Sequence, residues 1–259
     1  MLRTLPIAAT ALTAATVLTA GIGLTAAPAL ADEAVTYEVN GAAYEGYLAM
    51  PEGAPSGLVL VIHDWDGLGD YERRRADMLA ELGYAAFAAD LYGAGNRPQE
   101  TAAKKAATAE LYADREVMRA RILAGLATAR ERAGDLQAVV MGYCFGGAAT
   151  LELARSGAAE DVVAYTSFHG GLATPEGQSW QGVDAFVLVA HGGADAAINL
   201  DDVAQLAREL EAAETPYEIQ IYSGAPHAFT VFGSERYRAR ADEQSWTAFT
   251  VLLSERLDR

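Results

Sequence analysis

Residues 139–147 read VVMGYCFGG, a β-rich run that ends at a cysteine between glycines and leads directly into a helix-forming stretch. A nucleophile between a strand and a helix sits on a tight, strained turn, so its neighbours two positions away must be small. Gly142 and Gly146 flank Cys144 at that spacing. The turn also puts the sulfur at a helix N-terminus, where the dipole and free N–H groups favour a thiolate. The pattern therefore predicts a nucleophilic Cys144, and the alternative is a buried structural cysteine.

Strand and helix patterns alternate along most of the remaining chain. Strands are predicted at 35–40, 43–50, 57–62, 84–89, 137–141, 161–167, 185–190 and 217–222, the first two as a hairpin turning at Asn40 and Gly41. Helices are predicted at 71–82, within the Ala-rich stretch 98–132, and at 146–155, 200–213 and 235–257. This alternation predicts a single α/β domain over residues 32–259, with a mostly parallel central sheet and helices on both faces. Functional residues are expected beyond the carboxyl ends of its strands.

Two further candidate catalytic residues follow predicted strands. Asp195 lies in a small-residue loop after the strand at 185–190, and His227 lies in the loop after the last strand. The chain order of nucleophile, acid and histidine is that of α/β-hydrolases and differs from the orders in chymotrypsin and subtilisin. We therefore expect Cys144, Asp195 and His227 to form a catalytic triad. The alternatives are an ordinary turn carboxylate and a solvated loop imidazole.

Backbone N–H groups at two places are candidates for an oxyanion hole. One belongs to Phe145, directly after the nucleophile. The other belongs to Trp65, because the segment HDWDG follows the first central strand, where this architecture supplies its second donor. Asp64 beside it either faces the nucleophile or is a helix-entry or solvated acid.

The other histidines are His63, His169 and His191, and all three are placed to reach the same rim. His191 is expected to order its loop by hydrogen bonding rather than to act as a base, and His169 is a candidate for the pocket wall. No pair has the spacing of a metal motif, and one cysteine with scattered histidines is poor evidence for zinc. We predict no metal.

The N-terminus reads as a secretory signal peptide. Arg3 precedes an apolar run, and the small residues at 29–31 suit cleavage after Ala31. An uncleaved membrane anchor is the alternative. Removal of residues 1–31 leaves 18 Lys and Arg against 35 Asp and Glu, a net charge of −17. Such a surface repels nucleic acid and anionic lipid. We expect an exported monomer, periplasmic or secreted, without stable membrane association.

At these residues the chain resembles the dienelactone hydrolase family of α/β-hydrolases. The resemblance covers nearly all of the chain after residue 31, and it is carried by four motifs: GYCFGG at 142–147, DLYG at 90–93, HGGAD at 191–195 and GAPHAF at 224–229. It implies a triad of Cys144, Asp195 and His227 that cleaves small ester or lactone bonds through a covalent acyl-enzyme. It also implies that no cofactor is needed.

The chain departs from this family at two places. Asp64 stands where the family usually has Glu, an acid that interacts with the nucleophile. Ala94 and Val231 stand where members that cleave dienelactone have arginines near the substrate carboxylate, and Arg97 is out of register. These replacements lead us to expect that neutral esters or lactones are preferred over anionic ones.

Two other functions compete with hydrolysis. One is a non-catalytic binding protein with the same fold, and the other is a redox-active thiol protein. A complete set of triad residues argues against the first. Cys144 is the one cysteine in the chain, so the absence of a resolving cysteine argues against the second.

Overall fold

The computed structural model describes residues 1–2 and 33–258. Apart from Met1 and Leu2, the predicted signal peptide and its cleavage site lie outside the described residues. Eight strands form one sheet: β1 Glu33–Val39, β2 Ala42–Ala49, β3 Leu58–Ile62, β4 Ala85–Ala89, β5 Ala138–Tyr143, β6 Val162–Phe168, β7 Phe186–Gly192 and β8 Tyr217–Tyr222. The helices are α1 Asp70–Glu81, α2 Thr101–Ala113, α3 Arg115–Ala133, α4 Phe145–Ser156, α5 Leu200–Ala212 and α6 Ala239–Leu257.

The strand order is β1-β2-β4-β3-β5-β6-β7-β8. β1 and β2 form an antiparallel hairpin, β2 pairs antiparallel with β4, and every pairing from β4 to β8 is parallel. The hairpin turns at Asn40 and Gly41, both of which have positive φ. The predicted fold class, a mostly parallel α/β sheet, is confirmed.

Helices cover both faces of the sheet because successive strand residues point to opposite sides. In β3, Leu60 and Ile62 belong to the core that also contains residues of α3, α4 and α5, whereas Val59 and Val61 belong to the core that contains residues of α1 and α6. Two apolar cores therefore enclose the central strands. Among the described residues, no helix is long and apolar enough to span a bilayer.

Two helix predictions need correction. The helix predicted at 71–82 ends at Glu81, Leu82 is 50% exposed, and the helix buries Glu72 and Arg75 beside Leu79. The last helix begins at Ala239 rather than at 235, because the Arg238 N–H donates to the carbonyl of Phe229 and residues 234–237 form a turn. Arg75 is buried against Thr230 and Asp242, 155 and 167 positions away, and the local sequence pattern does not show these contacts.

Candidate active site

Cys144 lies between the end of β5 and the start of α4, in a left-handed backbone conformation with φ 53°. The turn packs too closely for side chains at its two flanking glycines. A Cβ on Gly142 would lie 2.3 Å from backbone atoms of Gly146, and a Cβ on Gly146 would lie 2.3 Å from the carbonyl oxygen of Ile62. Glycine at both positions is what allows the strand, turn and helix to close around Cys144.

The structure brings the three predicted triad residues together. The distance from His227 Nε2 to Cys144 Sγ is 3.1 Å, and that from His227 Nδ1 to Asp195 Oδ2 is 2.8 Å. The other carboxylate oxygen of Asp195 accepts the N–H groups of Ala197 and Ile198 at 2.8 and 3.0 Å. With Nδ1–H directed to Asp195, His227 presents an unprotonated Nε2 to the thiol. This geometry suits transfer of the thiol proton to the histidine.

The surroundings of Cys144 oppose ionisation of its thiol. Burial raises the pKa of Cys144 to about 12, negative charge at Asp64 acts in the same direction, and a hydrogen bond from the Phe145 N–H opposes the rise. The N–H group at the helix N-terminus lowers the pKa of the thiol, as predicted, but the loss of hydration on burial raises that pKa by more. Nucleophilic attack from this state requires a base that takes the proton, and His227 is in place for it.

The two predicted oxyanion donors belong to the start of α4 and to the turn after β3. Phe145 is the first residue of α4, and N–H groups of a first helical turn have no partner within the helix. Trp65 is half-buried in the turn after β3, a segment held against the elbow by the close packing of Gly146 on the carbonyl oxygens of Ile62 and His63. The Trp65 carbonyl accepts the Tyr92 hydroxyl at 3.1 Å, which fixes that turn.

Asp64 belongs to a buried group of acids near the thiol. One of its carboxylate oxygens accepts the Asp66 N–H at 3.0 Å, and its own N–H donates to Glu72 at 3.4 Å. Within the described chain it makes no hydrogen bond to Cys144. Burial, reinforced by the neighbouring carboxylates, raises the pKa of Asp64 well above its usual range, and burial also raises that of Glu72. Both side chains therefore hold protons more tightly than ordinary carboxyl groups.

His169 lies directly behind the nucleophile, fully buried at the end of β6, and not in a pocket wall. Its Nδ1 accepts the N–H of Cys144 at 3.2 Å, a donor shared with the carbonyl of Phe168 at 3.0 Å. Its Nε2 lies 2.8 Å from Thr230 Oγ1, in the loop that follows His227. Burial lowers the pKa of His169 well below its usual value, so it stays neutral. This imidazole joins the nucleophile turn to the histidine loop.

A buried polar network continues from His169 to the far helix. Thr230 Oγ1 is 2.7 Å from the Tyr71 hydroxyl, which accepts the Arg75 Nε–H at 3.3 Å. Arg75 also donates to the carbonyl of Thr230 at 3.0 Å and forms an ion pair with Asp242 in α6. Residues of α1, α6 and the His227 loop are thereby tied to the backbone of Cys144.

The other residues singled out in the sequence are His63, His191 and Arg97. His63 is fully buried, donates from Nδ1 to the Asp64 carbonyl at 2.6 Å and accepts the Leu91 N–H at 3.0 Å. His191 is buried in β7, where burial lowers its pKa and a backbone hydrogen bond with Ile198, in the loop that carries Asp195, raises it. Its expected role in ordering that loop stays a prediction. Arg97 donates to backbone carbonyls of its own loop and of Leu68, so its guanidinium is engaged in joining two loops.

Comparisons with known sequences identify the family. The sequence profile of the dienelactone hydrolase family matches residues 44–257. A protein of Escherichia coli (strain K12), which its name provisionally assigns as a carboxymethylenebutenolidase, is 29% identical over 222 residues, covering 80% of this chain and 79% of its own. The protein usf of Aquifex pyrophilus is 28% identical over 204 residues, covering 75% of this chain and 85% of its own.

Solved structures give the same result. A dienelactone hydrolase-like promiscuous phosphotriesterase from metagenomic libraries is 30% identical with a TM-score of 0.79, and the match covers 88% of this chain and 99% of that one. A structure described as m3DLH is 31% identical with a TM-score of 0.79, covering 88% and 98%. The chain belongs to the dienelactone hydrolase family of α/β-hydrolases and is a hydrolase acting on ester or lactone bonds.

Proposed function

We propose that the enzyme cleaves small esters or lactones by nucleophilic attack of Cys144, through a covalent acyl-enzyme. The observation that carries this proposal is the continuous line of contacts from Asp195 through His227 to the sulfur, at 2.8 and 3.1 Å. A nucleophile, a base and a group that orients the base form the usual triad for acyl transfer.

In the first half-reaction, the sulfur of Cys144 attacks the carbonyl carbon while its proton moves to His227 Nε2. The oxygen that becomes negative is stabilised by the N–H groups of Phe145 and Trp65, and one such donor contributes roughly 3–4 kcal/mol where it has been measured in other enzymes. The tetrahedral intermediate then collapses, and His227 gives the proton to the departing alkoxide. In a lactone that alcohol remains attached to the acyl group.

In the second half-reaction, His227 removes a proton from water, which attacks the thioester carbonyl. Collapse of the second tetrahedral intermediate releases the acid, and the proton returns to Cys144. Asp195 stabilises the imidazolium in both halves, since its carboxylate is fixed by two backbone N–H groups.

The chain is also proposed to be exported, with cleavage after Ala31. The support is the sequence pattern of residues 1–31 and the charge of −17 that removal leaves. Mass spectrometry of protein purified from an exporting host tests this. We expect a mature N-terminus at Asp32; an intact mass that retains residues 1–31 contradicts cleavage.

The function is tested by hydrolysis of an activated aryl ester before and after alkylation of the single thiol. We expect alkylation to abolish turnover and Cys144→Ala to lower kcat/KM at least about a thousandfold with an unchanged melting temperature. Turnover by Cys144→Ala near that of the wild type contradicts the nucleophile assignment. Absence of wild-type turnover on every ester and lactone tried favours a binding protein, and oxidant-dependent change without hydrolysis favours a redox protein.

A further inference from the structure

A cavity of 400 Å³ lies next to the triad, between α4, the loop after β6, the loop after Asp195 and the junction of α2 and α3. Its wall touches the active residues directly. The N–H of Ala148 donates to the carbonyl of Cys144 at 3.2 Å, and that of Ala197 donates to Asp195 at 2.8 Å. The ring of Tyr112 packs edge-on to that of Phe145, 5.4 Å between centroids. The cavity is therefore placed to receive part of a molecule held at the sulfur.

Two guanidinium groups, Arg115 and Arg155, line this cavity. They share one buried carboxylate, Glu152, with Arg119; the N–O distances are 3.0, 3.6 and 2.6 Å respectively. Gln178 donates to both carboxylate oxygens at 2.9 Å. Although burial opposes ionisation, the hydrogen bonds from Gln178 and Arg119 and the positive charges lower the pKa of Glu152. Three cations therefore surround one anion.

The nearby carboxylates are engaged elsewhere. Asp202, also in the cavity wall, accepts the Asn199 N–H at 2.9 Å in the cap of α5. Glu209, whose charge acts on Arg155, accepts hydrogen bonds from Thr174 at 2.5 Å and Gln205 at 2.8 Å. Neither forms an ion pair with the cavity arginines within the described residues.

Of these three arginines, Arg155 is the most deeply buried, and its pairing is incomplete. Its side chain is only 3% exposed, and its Nη1 has no hydrogen-bond partner in the described part of the chain. Burial lowers the pKa of Arg155 to about 10, with Glu152 only partly opposing the change. A buried cation with an unused N–H is unfavourable, and an oxyanion that accepts from it recovers both the charge and the hydrogen bond.

We propose that this cavity is an anion subsite, in which Arg155 and Arg115 bind a carboxylate carried by the substrate at the end remote from the scissile bond. The inference rests on the proposed hydrolysis at Cys144. From Ala148 to Arg155 the helix rises about 10 Å, so the charge must lie several bonds from the reacting carbonyl. The arginines of this subsite do not lie at positions 94 and 231, where other family members have arginines. The subsite nevertheless predicts a preference for anionic substrates, the opposite of the preference expected from Ala94 and Val231.

The test uses two aryl esters of adipic acid that differ at the far end, a free carboxylate in one and its methyl ester in the other. At high salt, where long-range charge effects are screened, we expect kcat/KM to favour the carboxylate at least tenfold. Arg115→Gln, a change at a side chain 29% exposed, should remove most of this preference through a larger loss of kcat/KM on the carboxylate than on the methyl ester. Arg132→Gln removes an exposed cation that pairs with Glu33 and should leave the preference intact.

The outcomes separate the subsite from the proposed function. Hydrolysis of both esters through Cys144 without a preference overturns the subsite alone, whereas absence of Cys144-dependent hydrolysis overturns the proposed function. Equal losses on both esters in Arg115→Gln, and in the conservative Arg155→Lys, also overturn the subsite. Inorganic phosphate is the control for a free anion. Inhibition by phosphate without any preference between the esters overturns the assignment to a substrate carboxylate.

Discussion

Two buried arginines on opposite sides of the sheet show when such a residue is structural and when it is available to a ligand. Arg75 is 1% exposed and Arg155 is 3% exposed. Arg75 has its own carboxylate, Asp242, and donates to the Tyr71 hydroxyl and the Thr230 carbonyl. Its guanidinium also lies against aromatic rings of Tyr71, Tyr143, Phe232 and Trp246.

Arg155 donates from Nε to Gln178 at 2.9 Å and lies over the ring of Trp180, but it shares its one carboxylate with two other arginines and keeps an unused Nη1. The two pKa values move in opposite directions. Burial disfavours both cations, but Tyr143, Tyr71 and Asp242 more than offset it and raise the pKa of Arg75, whereas burial prevails and lowers that of Arg155. Depth is nearly the same, so it is the completeness of the partner set that distinguishes a structural cation from one available to a ligand.

The largest effect on stability is expected from Arg75→Met. It leaves the buried carboxylate of Asp242 without its cation, and removal of one partner from a buried pair costs about 3–5 kcal/mol. The measurement is urea unfolding, with the double variant Arg75→Met/Asp242→Leu as the matched control. We expect the double variant to recover much of the loss. A single variant within about 1 kcal/mol of the wild type contradicts a structural role for this pair.

The matching change at the cavity, Arg155→Met, should cost less. Glu152 keeps Arg115, Arg119 and Gln178 as partners, and the change removes a cation that was incompletely paired. We expect a loss of about 1–2 kcal/mol in the same unfolding measurement, which is typical of a core substitution that strands no charge. A loss equal to that in Arg75→Met means that the two clusters do not differ as described.

The network behind the nucleophile is tested by two substitutions of His169. In His169→Asn the amide oxygen can replace Nδ1 as acceptor for the Cys144 N–H, whereas in His169→Gln the amide can replace the Nε2 donor to Thr230. We expect kcat to fall about tenfold or more in the Gln variant and less in the Asn variant, with KM changed little, because the support acts on placement of the sulfur. Equal activity of both variants and the wild type contradicts that support.

The smallest effect concerns stability against pH. Because the pKa of Asp64 is raised on folding, the folded state holds a proton that the unfolded chain releases above about pH 4. The stability that protonated Asp64 contributes is complete below that pH. It is lost as the pH rises toward the pKa of Asp64 in the folded state. We expect Asp64→Asn to flatten the fall in melting temperature between pH 5 and 9 by a few degrees. Asp135→Asn, which removes an exposed carboxylate, should not.

How far the sequence predicts this site depends on how local each signal is. Cys144 was predicted correctly as the centre of a strand–turn–helix because its two glycines lie within four positions of each other. Asp195 and His227 were visible as strand-end residues, and parallel strands bring such ends to one edge. Their catalytic roles remain predictions that the experiments above address.

Contacts between distant segments could not be predicted in this way. His169 and Thr230 are 61 positions apart, and nothing in either segment indicates the other. Arg115 lies in an Ala-rich charged stretch that resembles a solvated helix surface, so its meeting with Glu152 is visible only in three dimensions. The helix N-terminus at Cys144 is visible in the sequence, but the burial that raises the pKa of the thiol is not.

The most direct test of the account is to detect the acyl group on Cys144. Wild-type enzyme is mixed with an activated aryl ester, quenched in acid within the first turnover, and analysed by intact mass and peptide mapping, with Cys144→Ala as the control. We predict one acyl group on the peptide that contains Cys144, lost on longer incubation as the acid appears, and no adduct in the control. Turnover with no adduct on this cysteine, or with an adduct on another residue, would contradict the account.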